Sequence, residues 1–309
     1  MASFSPLSSV EEAILRTVIY ADIFNFPLTR AELHHYLVAE TPVTQAQVEQ
    51  ALASSSFLKQ ELDIQSLYIV CAGRQDLIPL RVERDQASLK LWPLALEYGR
   101  ALGRLPFVRM VALTGALAMR NAADNDDDLD YVLVTAPGRV WLARAFAIVL
   151  VRLAKRRGVV VCPNYLLAES ALAQEKHDLF VAHEVTQMLP IHGHDLYEMM
   201  RAQNAWVVDY LPNANAPFYA EADQGNQAGW LKKMGEFLLG GRIGSALEQW
   251  EYRRKLRRFA GEMRTPHSAA KLDDQHVKGH FKDHGHPVME QYHERLRAYN
   301  LDALPLAGD

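Results

Sequence analysis

The chain has 309 residues, 49% hydrophobic and 23% charged, with a formal net charge of −4. That is material for more than one core, and the acidic balance excludes a generic polyanion binder while leaving room for a local basic patch. The two cysteines, Cys71 and Cys162, lie far apart in sequence; they make no disulfide framework and no zinc site, and suit a reducing compartment. No basic segment precedes an apolar run at the N-terminus, and the most apolar stretch, 145–151, is too short to span a bilayer. A cytoplasmic protein with no membrane partner is expected.

Residues 1–90 carry three capping boxes: Ser8 with Glu11 (or Ser9 with Glu12), Thr29 with Glu32, and Thr44 with Gln47. Each opens a short helix whose apolar residues recur at helical spacing: Val10, Ile14 and Val18, then Leu33 and Leu37, then Val48 and Leu52. Two short alternating segments follow, Leu62-Asp63-Ile64 and Tyr68-Ile69-Val70. Three helices and a hairpin is the order of a winged helix. Its third helix, Thr44 to Leu52, holds no Lys or Arg, and residues 1–90 hold 7 Lys and Arg against 11 Asp and Glu. Phosphate contacts dominate DNA affinity, so a structural or protein-contact role is expected and DNA is not an expected partner. Residues 75–104 read as a helical connector with Arg81, Arg84 and Lys90 on a solvated face.

The central segment begins near Pro106. Val108 to Leu113 reads as a strand, Gly115 to Asn121 as a short helix, and Asp130 to Val134 as a second strand. Val140 to Lys155 reads as an apolar helix with Trp141, Phe146, Leu150 and Leu153 inward. A third strand runs from Val159 through Cys162 towards Leu167. Between the first two strands lies an acidic stretch, with Asp124, Asp126 and Asp127 as loop acids. Asp128-Leu129-Asp130 then enters the strand. Residues i and i+2 of a strand share a face, so Asp128 and Asp130 project together. Two such carboxylates coexist around a cation or by sharing a proton.

Leu113-Thr114-Gly115-Ala116 and Asp128-Leu129-Asp130-Tyr131 together resemble the signature of the DNA-polymerase-beta-like nucleotidyltransferase superfamily: a hydrophobic residue, Gly, Gly or Ser, a gap of about ten residues, then Asp-hydrophobic-Asp/Glu-hydrophobic. Ala116 stands where that superfamily usually has Ser or Gly. Ile23 to Thr29, Leu105 to Val108 and Cys162 to Tyr165 further resemble a group of bacterial nucleotidyltransferase-domain proteins with a winged-helix-like N-terminus. The resemblance implies an NTP with its phosphates over Thr114, Gly115 and Ala116 and near Arg120. It implies Mg²⁺ on Asp128 and Asp130, and an unidentified hydroxyl acceptor (small molecule, RNA or protein). Such transferases take a third carboxylate from a neighbouring strand as base. Here Asn164 stands at that place, and Glu169 is the nearest downstream acid. A relative that kept the fold without turnover, serving as a nucleotide-binding or protein-interaction module, is the alternative. A transcriptional regulator acting through the N-terminal helices is a third.

Beyond residue 174 the sequence reads as helical: fragments at Val185–Met188 and Leu196–Met200, a helix over 227–239 ended by Gly240-Gly241, a long helix over 243–263, and a last helix over 288–299. Leu247, Trp250, Leu256, Phe259 and Met263 mark the expected inner face of the long helix. Residues 231–271 hold 10 Lys and Arg against 4 Asp and Glu. The run Arg253 to Arg258 is read as a solvated face, or as a patch steering a nucleotide or RNA into the cleft. His276, His280 and His284 would share one face if they lay on a helix and could then hold a metal, although solvated histidines are the simpler reading. The expected fold is α+β: a winged-helix-like domain at 1–90, a small mixed-sheet nucleotidyltransferase-like domain at 91–173, and a helical region at 174–309.

Overall fold

A computed structural model describes residues 8–220, 229–259, 271–278 and 283–304. The capping boxes act as read. Ser8, Thr29 and Thr44 each accept a hydrogen bond from the backbone N–H of the glutamate or glutamine three residues on, and open α1 (Ser9–Ile23), α2 (Arg30–His35) and α3 (Gln45–Ser54). An additional helix, α4 (Ser56–Glu61), is capped by Ser55. Strand β1 (Leu28–Thr29) joins the hairpin of β2 (Leu62–Gln65) and β3 (Tyr68–Cys71) in an antiparallel sheet of order β1-β3-β2. Ile14, Leu15, Leu33, Leu37, Leu58 and Ile69 are fully buried in this module.

Helix α5 (Leu77–Gly103) follows. Lys90 on it is exposed, but Arg81 is 2% exposed and corrects the reading of a solvated face. Its guanidinium meets Glu32 at 2.9 Å, covers the Phe26 ring and donates to the Arg120 carbonyl. A buried charge needs such partners, and here they fasten α5 to the N-terminal module.

The central sheet holds β4 (Val108–Leu113), β5 (Leu129–Thr135), β6 (Val161–Ala168), β7 (Leu189–His192), β8 (Lys271–Leu272) and β9 (His276–Lys278), in the order β7-β4-β5-β6-β9-β8. The β5–β6 pair is parallel, crossed by helix α7 (Val140–Lys155); the other pairs are antiparallel. Mixed α+β architecture is therefore present. Three of the six strands come from beyond residue 174, which corrects the expectation of a purely helical C-terminal region: the sheet extends past residues 91–173. Each of these strands is two to four residues long, too short to display a period of two. Pro190 also interrupts β7, which tolerates it as an edge strand.

Alternation along β5 divides the molecule. Leu129, Tyr131 and Leu133 pack with α5 and α7 on one face. Val132 and Val134 pack with the N-terminal module and with α8 (Leu179–Gln187), α9 (His194–Gln203) and α12 (Gly285–Arg297) on the other. Helices α10 (Trp230–Leu239) and α11 (Arg242–Phe259) complete the described set. Helix α11 lies against α7 with an inner face unlike the expected one. Leu247 and Trp250 are exposed, while Glu248 and Glu251 are buried. The Glu248 carboxylate accepts from the N–H groups of Trp141 and Leu142 at 2.9 and 2.8 Å, supplying the N-terminal cap that α7 lacks of its own. Leu153, expected inward, is exposed, while Trp141 is buried. Residues 260–263 of the expected long helix lie outside the described residues, as do 227 and 228 of the one before it. No described helix is long and apolar enough to cross a membrane.

Candidate metal centre

The site grows from the ends of β4 and β5. Thr114 N–H donates to the Asp130 carbonyl at 2.9 Å, carrying the ladder one residue past β4. The chain then turns through Gly115 at φ +68 into the four-residue helix α6 (Gly115–Ala118). Two constraints require glycine there. The left-handed backbone disfavours a side chain, and a Cβ would run into the Asp130 carboxylate. This close approach explains why a glycine and an aspartate so distant in sequence belong to one feature.

The acidic loop behaves as read. Asp124 accepts from Asp126 N–H, and Asp127 from Ala123 and Asp128 N–H, the local bonds by which aspartates shape turns. Asp128 and Asp130 share a face, Asp128 exposed and Asp130 half-buried. Cys162, the register partner of Asp130 across the parallel pair, joins them. One ligand atom from each of the three lies within 4.8 Å of the others, and they form the potential metal group among the described residues.

Asn164 is the extra residue of a β-bulge, since Tyr131 pairs with Pro163 and Val132 with Tyr165. Bulges re-aim side chains, and the Asn164 amide donates to the Asp130 carboxylate. Burial, with Asp128 adding repulsion and Asn164 opposing, pushes the Asp130 carboxyl up to about 7. Burial, then the hydrogen bond and charge of Asp128, push the Cys162 thiol up to about 12. Near neutral pH Asp130 therefore still shares its site with a proton, beside a protonated thiol. Hard oxygen donors suit Mg²⁺, which keeps waters or takes phosphate oxygens in its remaining positions, whereas a soft thiol does not. The donor set fits the metal through Asp128 and Asp130, and a cation there would offset the burial and, with it, the repulsion from Asp128 that raise Asp130.

A cavity of about 370 Å³ opens over the pair, walled by Thr114, Gly115, Asn164 and Tyr165 and by two residues the sequence did not single out, Glu184 of α8 and Lys278 of β9. Glu184 is reached by solvent within the cavity yet walled in by protein. That enclosure raises its carboxyl above the ordinary value, with Lys278 opposing. Nothing in the pattern of Leu179 to Gln187 distinguished Glu184, because its place depends on how α8 packs across the sheet.

The remaining expectations divide. Ala116 lines a neighbouring cavity. Arg120, expected near the phosphates, is not among the walls of this cavity: it lies over the rings of Tyr219 at 4.3 Å and Trp92 at 5.5 Å, at the junction with α5. Its backbone is left-handed there, at φ +53. Glu169 follows the far end of β6, beside Thr135. That point is five residue steps along β5 from Asp130, roughly 17 Å, which removes it as a base. His276 lies on β9 against Asp273, and His284 is the N-cap position of α12, so they share no helix; His280 is outside the described residues. The basic run on α11 packs with α7 on the opposite face of the sheet, away from the pair, where Arg254 pairs with Glu251 at 2.7 Å.

Fold and site together define an α+β protein with a carboxylate pair and a left-handed glycine at the mouth of a mixed sheet. No family model, curated protein or solved structure matches the chain, so the functional reading rests on the resemblance of the two sequence motifs taken together with this geometry.

Proposed function

We propose that the protein is a Mg²⁺-dependent nucleotidyltransferase that moves an NMP group from an NTP to a hydroxyl acceptor with release of pyrophosphate. The observation carrying this is the contact of Gly115 with Asp130, which sets the turn after β4 against two hard ligands in one cavity. Asp128 and Asp130 hold the metal, whose charge offsets that of the triphosphate. Thr114 and Gly115 bound the space for phosphate, and Lys278 adds a positive charge. Asn164 keeps Asp130 oriented; an amide cannot take a proton, but Glu184, a carboxylate facing the same space, can. Catalysis of this kind rests on positioning and charge neutralisation.

A second reading, nucleotide binding without turnover, is favoured by the amide of Asn164 at the strand position where such transferases carry an acid. The N-terminal module is read as winged-helix-like and as a structural wall rather than a DNA reader: Glu49 of α3 is tied to Arg30, and Phe24, Phe26 and Tyr36 face a cavity beside the site. Incubation with Mg²⁺, each NTP labelled at the α-phosphate and a small-molecule extract tests the proposal. Wild type should transfer label to an acceptor and Asp130→Asn should not. Transfer retained in that variant would remove the site assignment.

A further inference from the structure

A second cavity of about 310 Å³ adjoins the first, and Gly115, Phe180, Glu184 and His284 line both. Its other walls come from α1, the segment leading to β1 and the end of α2, with Tyr20, Phe24, Phe26 and Tyr36 among them, and from Met119 and His183. His183 is 4% exposed and stacks on Tyr20 with ring centroids 4.2 Å apart; burial, with the charge of His35 adding to it, lowers its imidazole to about 3, so it stays neutral. The described walls carry no Lys or Arg, and Glu184 is a carboxylate. Aromatic walls favour a flat ring, and, unlike the first cavity with Lys278 and the metal-binding pair, these described walls offer no lysine or arginine to offset the charge of an anion.

Transfer to an α-phosphorus requires the attacking oxygen and the leaving pyrophosphate on roughly opposite sides. Two substrates must therefore approach one point from two directions. The cavities provide this, since they meet at Gly115 and Glu184, beside the carboxylate pair.

Resting on the nucleotidyltransferase reading, we infer that the second cavity is the acceptor subsite and takes a small, flat, uncharged, largely apolar molecule bearing a hydroxyl group, rather than a nucleic acid or a phosphorylated sugar. The hydroxyl oxygen bonds to the α-phosphorus and the bond from phosphorus to the bridging oxygen breaks. Pyrophosphate leaves with that electron pair, and the hydroxyl proton passes to the Glu184 carboxylate.

The test is a fluorescence titration with 2-naphthol, a flat hydroxyl-bearing probe, on the free full-length chain and on the chain saturated with Mg²⁺ and ATP. Saturable binding is expected in both states. It should weaken roughly tenfold in Phe24→Ala, which removes a partly exposed aromatic wall, and similarly in Phe180→Ala. No saturable binding, or equal affinity in properly folded variants, overturns the assignment. Displacement of 2-naphthol by Mg²⁺ and ATP also overturns it, by placing the nucleotide in this cavity, and leaves the nucleotidyltransferase reading intact. Failure to bind any NTP in the presence of Mg²⁺, with 2-naphthol still bound, removes that reading and the acceptor role with it.

Discussion

Replacing Asp130 with Asn should stabilise the metal-free protein while destroying its metal site. The Asp130 carboxyl is pushed from an ordinary 3.8 up to about 7, by burial first and by Asp128 second. Below about pH 4 it is protonated in folded and unfolded chains alike and costs nothing. Between about pH 4 and 7 the unfolded chain ionises while the folded one holds its proton. Stability therefore falls as pH rises through this window, then levels off. A difference of about 3 units at 1.36 kcal/mol each sets a ceiling of about 4 kcal/mol. Solvent in the open cavity and the exposure of Asp128 screen part of it, leaving about 1–2 kcal/mol. The asparagine carbonyl still accepts from Asn164, so that bond survives. Thermal melts without metal should show Asp130→Asn a few degrees above wild type at about pH 8, with the gain shrinking towards about pH 5. Saturating Mg²⁺ and NTP should reverse the order, because wild type alone gains ligand stabilisation. A variant no more stable than wild type at about pH 8, or equally favoured at both pH values, would contradict the strained-pair explanation.

Gly115→Ala should lose roughly 1–2 kcal/mol from the left-handed backbone alone and weaken Mg²⁺ binding by displacing the Asp130 carboxylate; unchanged denaturation and metal titration curves would count against the contact. Breaking the buried Arg81–Glu32 pair with Arg81→Met should cost about 3–5 kcal/mol in urea denaturation, and the double change with Glu32→Gln, which removes the stranded charge but keeps an acceptor for Thr29 N–H, markedly less; equal losses would show that the uncompensated buried charge is not the cause. Glu248→Ala, which uncaps α7, should cost about 1–2 kcal/mol in the same assay, and no loss would leave the cap without energetic weight. Charge reversal at Arg257 and Arg258 should leave NTP affinity unchanged at low salt, since α11 lies on the other side of the sheet, whereas a clear loss would restore the steering role.

The parts of this architecture visible in sequence are those set by local chemistry. Three capping boxes located α1, α2 and α3, and the alternation from Asp128 into an apolar strand placed both carboxylates on one face of β5. Arg81 was misread because its charge pattern along α5 is that of a solvated face; only the packing of Glu32 and Phe26 against it reveals a buried ion pair. The inner face of α11 was misread for the converse reason, its buried carboxylates serving the backbone of α7 instead of an apolar core. Strands β7, β8 and β9 are fixed by pairing with longer strands and carry no pattern of their own. The site divides in the same way. Asp128, Asp130, Thr114 and Gly115 were legible because they lie on two adjoining strand ends. Cys162 joins the pair from β6, Glu184 and Lys278 wall the cavity over it from α8 and β9, and only the assembled sheet brings them there.

The most direct measurement is calorimetric titration of each NTP, with and without Mg²⁺, into wild type and into the double variant Asp128→Asn with Asp130→Asn. Mg²⁺-dependent binding in wild type, lost in a double variant that melts no lower than wild type, is the expected result. Absence of binding to every NTP, or binding indifferent to the two substitutions, would contradict the assignment of this cavity to a metal-bound nucleotide.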